Sequence, residues 1–455
     1  MRTADGFRYH VGLRGSRSRM PTQYAAPEPA GFRRPPRAVG HGPWRRAPPT
    51  EQRNENAPDT FPAGRTRASS RMSRTRSPMT IPLVPVADAN GVAPLVAHSR
   101  AFGALAERFA WLALREPPAD DNARWHTHML GKRAIRFAQP LTFTPYAAAQ
   151  PCSARCRFCS ETLVDETASG PMAASLRPGA NYFDRLGRAL RALRGVPLSY
   201  SLSGLENTDD PGWLLSLVAT LGTAGADGPD VGGSVLYTNG AGLVEHGGAL
   251  LPALASFGLS WLEWSRHHDR DDVNQSIMRF RPGQPVMRDA AFETAFAAAR
   301  ERFPVKLVCI VQRGGVETPA DVLRYLDRAR VLGASAVIFR EFSALPDTYR
   351  HNATRRYVDH ARIAIDALLL ACVADPAFAS RCEPIALTGG YYFWNARWAH
   401  RDGFEVVFEA SDYGAMREHE LRDAVYKLVF HPNGNLCAGW QPTRDILWSD
   451  DDHRD

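Results

Sequence analysis

The sequence predicts an α/β protein built on a parallel sheet, and two observations predict it. Beyond Gln139, six strand-like runs alternate with helical patterns, and parallel neighbours need a crossover of a dozen or more residues between them. Several of these runs are continuously apolar, as expected for strands that are covered on both faces. The pattern alone leaves two architectures open, a doubly wound open sheet and a partial or complete barrel.

The composition is that of a globular chain with a sizeable core. Of the 455 residues, 44% are apolar and 23% are charged. The longest apolar run, Ala367 to Ala374, is well short of a bilayer span, so we expect no membrane-spanning helix and no membrane partner. Seven cysteines are too few and too unevenly spaced for a secreted disulfide framework, which favours the reducing cytoplasm.

The basic charge is concentrated in residues 1–79. This stretch has 16 arginines and 5 acidic residues, a net charge of +11. Because the whole chain carries +7, residues 80–455 carry a net charge of −4. A mildly acidic body argues against a nucleic-acid partner. The stretch also holds 11 of the 34 prolines and shows no periodicity, so we expect it to be disordered. We hypothesise that translation begins at Met72 or Met79, which the intact mass of protein expressed from the native gene would test.

Three regions follow this tail. Residues 80–138 are predicted to be mainly helical, because apolar residues recur with helical spacing from Leu95 to Leu114. In residues 139–345 the predicted strands are Leu141–Ala147, Leu198–Leu202, Ser234–Thr238, Leu259–Ser265, Val305–Gln312 and Ser335–Glu341. The predicted helices between them are Tyr182–Arg194, Gly212–Leu221, Leu250–Phe257, Ala290–Phe303 and Pro319–Leu332.

Residues 346–455 are predicted to form an α+β extension. A helix runs from Tyr357 to about Ala374, and strands follow at Ile385–Ala396, Phe404–Glu409 and Ala424–Phe430. His431-Pro-Asn-Gly434 is typical of a hairpin turn. We therefore expect an antiparallel region that caps or extends the sheet.

The motif that carries chemistry follows the first predicted strand. Cys152, Cys156 and Cys159 have the spacing C-x3-C-x2-C, with the aromatic Phe158 before the last cysteine. Three thiolates on one loop would leave a four-iron cluster with one iron that lacks a protein ligand. The alternatives are a zinc site completed by a residue such as His126 or His128, or core cysteines that cluster by chance.

This motif resembles the signature of the radical S-adenosylmethionine (SAM) superfamily, and the resemblance covers about residues 139–345. It implies a partial (β/α)6 barrel and a 4Fe-4S cluster whose open iron chelates SAM. One-electron reduction would then cleave SAM to a 5'-deoxyadenosyl radical that abstracts hydrogen from a substrate. The likeness is greatest to the MoaA/PqqE-type branch, without the cysteine set of its SPASM extension.

Further residues carry over from the resemblance as SAM-binding candidates. Gly204 and Glu206 lie in the sequence Ser-Gly-Leu-Glu, which resembles the family's Gly-Gly-Glu motif but is interrupted by Leu205. The alternative for this stretch is a turn that leads into a helix. Asn239 closes the third predicted strand, and the alternative there is an ordinary turn that binds nothing. Ser265 is the candidate for a hydroxyl contact, and Arg340 needs either the SAM carboxylate or an internal salt bridge.

Arg266, His267 and His268 are the candidate catalytic residues. They follow the fourth strand, and catalytic residues of (β/α) barrels gather at the carboxyl ends of the strands. One histidine could position substrate or relay a proton near neutral pH. The alternative for both histidines is an ordinary surface loop.

Outside the motif, Cys372, Cys382 and Cys437 could hold a second cluster, although isolated cysteines are more often small buried hydrophobes. The expected function is a cytoplasmic radical SAM enzyme that acts on a small molecule in specialised or cofactor biosynthesis. An electron donor such as flavodoxin or ferredoxin would be its partner. The alternatives are a maturase of a ribosomally made peptide and a non-catalytic iron-sulfur or zinc protein.

Overall fold

The computed structural model describes most of the chain from Trp125 onward. The described residues are 81–82, 114–115, 125–146, 148, 150–163, 176–345, 349–389, 393–411 and 424–450. The predicted tail, residues 1–79, lies outside them, as does the predicted helix at Leu95–Leu114 apart from its last residue.

The described residues contain fifteen strands and nine α-helices. The strands are β1 Ile81–Pro82, β2 Leu114–Arg115, β3 Trp125–Leu130, β4 Arg133–Pro145, β5 Pro197–Leu202, β6 Asp230–Thr238, β7 Trp261–Ser265, β8 Val305–Ile310, β9 Ala336–Arg340, β10 Cys382–Gly389, β11 Phe393–His400, β12 Glu405–Ser411, β13 Val425–Phe430, β14 Leu436–Cys437 and β15 Ile446–Trp448. The helices are α1 Tyr182–Ala192, α2 Pro211–Ala224, α3 Ala241–Phe257, α4 Asp271–Met278, α5 Asp289–Arg300, α6 Pro319–Leu332, α7 Ala353–Ala361, α8 Ile365–Ala374 and α9 Pro376–Ala379.

The six predicted strands are confirmed as β4 to β9, and they form a parallel sheet in sequential order. A doubly wound sheet would reverse its strand order at a switch point. The sequential order is instead that of a (β/α) barrel. The six strands do not close on themselves, because β4 pairs with β13 and β9 pairs with β12. The expected partial barrel is thereby confirmed.

The main core lies between this sheet and the helices. One face of each strand is apolar and packs against the helices, as Trp264 of β7 does against Phe292 and Phe296 of α5. Two of the helices that pack on the sheet begin at residues that favour helix starts. Thr318 and Asp321 form a capping box at the start of α6, and Asp210 accepts a hydrogen bond from Trp213 at the start of α2.

The prediction for the C-terminal extension is only partly correct. β10, β11 and β12 are antiparallel to one another, and β13 and β14 form the predicted hairpin. However, β12 pairs with β9 and β13 pairs with β4, and both pairs are parallel. The extension therefore adds a parallel strand to each edge of the six, so that eight neighbouring strands run in one direction.

The prediction of a mainly helical segment at residues 80–138 is wrong where the structure describes it. β3 and the first half of β4 form an antiparallel hairpin, closed by Gly131 and Lys132 with Gly131 at φ +58°. The physical reason is the alternation of Ile135 and Phe137, whose buried side chains share one face of β4. β1 and β2 are also strands, each of two residues.

Two helical predictions need correction as well. The helix predicted from Tyr357 to Ala374 is broken between α7 and α8, where the carboxylate of Glu341 accepts a hydrogen bond from the backbone N–H of Ile365 at 3.0 Å. The short helix α4 was not predicted at all. None of the helices in the described part of the chain is both long and apolar enough to cross a bilayer.

Candidate functional site

The three cysteines lie on the loop that leaves the carboxyl end of β4. The backbone of this loop is held by the end of α4: the N–H groups of Arg155 and Arg157 donate to the carbonyls of Met278 and Ile277, each at 3.1 Å. On the other side, Arg281 Nη2 donates to the carbonyl of Cys152 at 3.0 Å. The helix that the sequence did not predict is therefore the element that fixes the cysteine loop.

All three thiols are free and partly buried. Burial raises the pKa of each, that of Cys156 to about 12, and the charge of Cys159 adds to the effect on Cys156. The Cys152 sulfur accepts hydrogen bonds from the backbone N–H of Ala154 at 3.4 Å and from Asn239 Nδ2 at 3.5 Å. Metal binding at these sulfurs would therefore release protons.

The donor set of this loop fits an iron-sulfur cluster. Among the described residues, no three His, Cys, Asp or Glu side chains form a group that could hold a single metal ion. A four-iron cluster does not require such convergence, because each thiolate binds a different iron. Hydrogen bonds to the sulfurs, like those from Ala154 and Asn239, are among the features that set the reduction potential of such clusters.

Gly204 and Glu206 follow β5 at the same edge of the sheet. Gly204 has φ +94°, and a Cβ added there would lie 2.1 Å from the ring of Tyr146. Leu205 is also left-handed, at φ 51°. Together they turn the chain so that Glu206 points back towards the cysteine loop, where its charge raises the pKa of Cys152.

The carboxylate of Glu206 is buried and takes its hydrogen bonds from the protein. Oε1 accepts from the hydroxyls of Thr208 at 2.6 Å and Thr238 at 2.8 Å, and Oε2 accepts from the backbone N–H of Asn239 at 2.5 Å. Glu206 also caps the short 3-10 helix Asn207–Asp209, which is the turn that sequence reasoning left as the alternative. Burial, with the nearby charge of Asp209, raises the pKa of Glu206 to about 7.

Asn239 joins this carboxylate to the cysteine loop. Its Nδ2 donates to Ser153 Oγ at 3.0 Å as well as to the Cys152 sulfur, and its Oδ1 accepts from the N–H of Ala241 at 2.8 Å. Sequence reasoning missed Asp209, whose carboxylate accepts from the N–H of Ser153 at 2.6 Å. No signal in the sequence separates Asp209 from its neighbour Asp210, which caps α2.

The side chain of Arg266 faces the helix layer. Its guanidinium pairs with Asp271 at 2.5 Å and Asp289 at 2.7 Å, and it stacks on Phe292 at 4.2 Å. Only 3% of the side chain is exposed. Arg266 is thus engaged in the helix layer, and the structure does not bring it to the site that the sequence predicted.

His267 and His268 are not surface loop residues, since both are buried. The ring of His267 packs edge-on against Phe158 at 5.0 Å, and its Nδ1 accepts from the N–H of Ile310 at 3.1 Å. Burial lowers the pKa of His267 to about 3, so the suggested proton relay near neutral pH does not fit this residue. His268 Nδ1 accepts from the N–H of Arg270 at 3.0 Å, and burial lowers its pKa too.

Ser265 and Arg340 end β7 and β9. Ser265 is half-buried, opposite Val308 in the register of β7 and β8. Arg340 Nε donates to Glu409 of β12, and Arg340 Nη2 lies 3.8 Å from Glu263 of β7. Of the two partners considered for Arg340, the structure therefore contains the internal salt bridge.

The remaining cysteines do not assemble into a second site. Cys372 and Cys382 lie close enough for the charge of one to raise the pKa of the other, although burial is the larger cause. Cys437 belongs to β14, beyond the opposite edge of the barrel from β10, which holds Cys382. In the described part of the chain, the suggested three-cysteine cluster is therefore not brought together.

Comparisons with known proteins found similarity only to solved structures. No family model and no curated protein matches the chain. The chain is similar to SuiB from Streptococcus suis bound to S-adenosylmethionine, at 14% identity and a TM-score of 0.40, over 67% of this chain and 61% of that one. It is also similar to anSMEcpe with bound AdoMet, at 13% identity and a TM-score of 0.35, over 44% and 50%.

A third similar structure is the FeFe-hydrogenase maturase HydG from Carboxydothermus hydrogenoformans. It shares 12% identity with this chain at a TM-score of 0.30, over 49% of this chain and 52% of that one. The chain thus matches between half and about three fifths of the length of these structures. At these TM-scores the similarity supports no statement about activity, which has to be argued from the chain's own residues.

Proposed function

We propose that this chain is a radical SAM enzyme. The observation that supports the proposal best is the position of the three free thiols Cys152, Cys156 and Cys159. They share one short loop at the carboxyl end of the first strand of a sequentially ordered parallel sheet. This is the edge at which (β/α) barrels carry their active sites.

In this proposal the three cysteines hold a 4Fe-4S cluster and leave one iron open for SAM. When bound, the cluster and SAM supply a 5'-deoxyadenosyl radical through one-electron reductive cleavage. Asn239 and Ala154 donate hydrogen bonds to the Cys152 sulfur and so hold it in place. Glu206 acts mainly through Asn239, because both of its oxygens already accept hydrogen bonds from the protein.

A radical site must exclude water and competing hydrogen donors, and the residues next to the cysteines serve that need. Phe158 packs against His267 at 5.0 Å and against Phe342 at 5.2 Å. The cysteine loop also contacts α7, because the guanidinium of Arg157 stacks on Tyr357 at 4.2 Å. These contacts form an apolar wall beside Cys159, and His267 remains neutral within it.

The substrate is proposed to be a small molecule or a peptide in specialised or cofactor biosynthesis, with a flavodoxin or ferredoxin as electron donor. A ribosomal peptide substrate would be indicated by a precursor-like gene beside this one. Deuterium transfer from a labelled candidate substrate into 5'-deoxyadenosine would identify the substrate directly.

The decisive experiment is anaerobic reconstitution with iron and sulfide, followed by reduction in the presence of SAM. We expect about four irons per chain and formation of 5'-deoxyadenosine. Cys156→Ala should lose both, whereas the matched control Cys382→Ala, a buried cysteine outside the loop, should keep both. Protein that binds only zinc, or a loaded cluster that yields no 5'-deoxyadenosine, would support the non-catalytic alternative.

A further inference from the structure

The inner face of the barrel carries a charged cluster formed by Glu263, Lys306, Arg340 and Glu409, which we call the interior cluster. Glu263 of β7 lies opposite Lys306 of β8, and Arg340 of β9 lies opposite Glu409 of β12. The neighbouring positions Val308 and Ile338 pack together on this inner face, apart from the main core against the helices. No part of the proposed cysteine site accounts for this cluster.

One oxygen of the interior cluster lacks a hydrogen-bond donor. Glu263 is 6% exposed, and its Oε1 accepts from the indole N–H of Trp261 at 3.2 Å. Its Oε2 is buried without a donor among the described residues. Buried carboxylate oxygens are normally satisfied, so an unsatisfied one calls for an explanation.

The nearby cations are directed elsewhere. The Nε of Arg340 donates to Glu409. Nη2 of Arg340 lies 3.8 Å from Glu263 Oε2 itself, an ion pair that is too long to be a hydrogen bond. The ammonium of Lys306 lies over the ring of Trp261 at 4.4 Å. Each cation therefore balances part of the charge of Glu263 at a distance, but none donates to Oε2.

The interior cluster is linked to the cysteine loop through two contacts. Ile310 lies opposite Arg340 in the register of β8 and β9, and its N–H donates to His267 Nδ1 at 3.1 Å. The ring of His267 packs against Phe158, the residue before Cys159. A substrate group held at Glu263 would thus lie on the same side of the sheet as the proposed radical source.

We propose that Glu263 Oε2 accepts a hydrogen bond from a positively charged nitrogen of the substrate, an amine or a guanidine. This inference rests on the proposed function and adds the substrate class to it. What Oε2 lacks is a hydrogen bond, and a cationic N–H forms a stronger one to a carboxylate than a neutral hydroxyl does.

The test compares small cations with neutral molecules of the same shape. Binding of butylguanidinium and butylammonium is measured against butylurea and butanol by ligand-observed NMR, with the reconstituted protein. We expect at least one cation to bind about tenfold more tightly than its neutral counterpart, the lower end of what one hydrogen bond to a charged group contributes. Equal binding of cations and neutral molecules would overturn the proposal and leave a water molecule as the partner of Glu263.

Two variants test whether Glu263 causes the preference for cations. Glu263→Gln should remove the preference for cations, and the control Glu405→Gln should keep it, because both oxygens of Glu405 already accept from Arg397, at 2.5 and 2.8 Å. A preference that survives in folded Glu263→Gln would place the cation elsewhere and overturn the proposal. If Glu263→Gln fails to fold, Glu263→Asp decides instead, since its shorter side chain should weaken the preference severalfold and an unchanged preference would contradict us.

The two proposals can fail separately. Formation of 5'-deoxyadenosine, measured on the same reconstituted protein, tests the radical SAM activity. The cation preference tests Glu263 alone. Cleavage of SAM without a cation preference would overturn only the substrate class, and a cation preference without SAM cleavage would overturn only the activity.

Discussion

Position 204 accepts only glycine, for two independent reasons. Its φ of +94° lies where other residues are strained, and a Cβ would overlap the Tyr146 ring. We expect Gly204→Ala to lower the free energy of unfolding by about 2 kcal/mol or more. A Cβ added at Gly248, in α3, would meet no atom within 4 Å, so Gly248→Ala should instead add about 0.5–1 kcal/mol. Urea unfolding of both variants would check this, and equal effects would contradict it.

The buried carboxyl of Glu206 should make stability depend on pH. Its folded pKa of about 7 lies above the ordinary 4.5, so between these values the folded chain binds more protons than the unfolded chain. The free energy of unfolding should therefore fall as the pH rises through this window, by roughly 3 kcal/mol from this group. The free energy of unfolding would be measured by urea unfolding of the cluster-free protein at several pH values. Glu206→Gln should reduce its decrease with rising pH, and the control Glu405→Gln should leave that decrease unchanged. A slope that Glu206→Gln leaves unchanged would contradict this.

Single residues were predictable where spacing in the sequence carried the signal. The three cysteines share one loop because they lie within eight residues, and Asn239 reaches them because strand ends meet at one edge of the sheet. The pairing of Arg266 with Asp289 was not predictable, because the two residues are far apart in the sequence. The packing of the folded chain also decides whether Arg266 faces the helices or the barrel interior.

At the level of elements, α4 supports the cysteine loop. Arg281, just after this helix, donates to the carbonyls of Pro151 at 3.1 Å and Cys152 at 3.0 Å. We expect Arg281→Ala to fold but to lose the reconstituted cluster to a chelator about tenfold faster, the scale of effects from outer contacts of a metal site. Arg313, an exposed arginine with no side-chain bond described, supplies the control Arg313→Ala. Equal rates of iron loss would show that the loop does not depend on Arg281.

Strands were predicted well where they contribute an apolar face to the main core. The strands β7, β8 and β9 match their predicted ranges to within a few residues for this reason. β3 was missed because its residues, Trp-His-Thr-His-Met-Leu, form a polar edge strand without an apolar run. α4 was missed because it has fewer than three turns and mostly polar residues.

At the level of the whole molecule, β12 is part of the barrel rather than a cap. Phe408 of β12 is fully buried, with its ring 5.3 Å from Phe339 of β9 and 6.0 Å from Phe378 of α9. We expect Phe408→Ala to lower the free energy of unfolding by about 3–5 kcal/mol. Val331, 67% exposed on α6, gives the control Val331→Ala, which should change it by less than about 0.5 kcal/mol. Urea unfolding followed by tryptophan fluorescence would measure both, and similar small losses would mean that β12 packs only loosely.

The topology could be predicted only in part. The crossover lengths predicted a parallel sheet, but strand order depends on contacts between distant residues. The parallel pairing of β12 with β9 and of β13 with β4 has no local signal. β12 follows β11, with which it is antiparallel, and β13 precedes β14, with which it forms a hairpin. The interior cluster was likewise invisible, since its four residues come from four different strands.

The pairing of β12 and β13 with the two edges of the barrel has a consequence during synthesis. A ribosome completes β4 to β9 well before it reaches residues 405–430, so the nascent chain holds six strands with both edges unpaired. Unpaired edges invite pairing with other chains, and such intermediates are prone to aggregate. Recombinant production should therefore improve at low temperature or with added chaperones, which protect the growing chain until its final strands emerge.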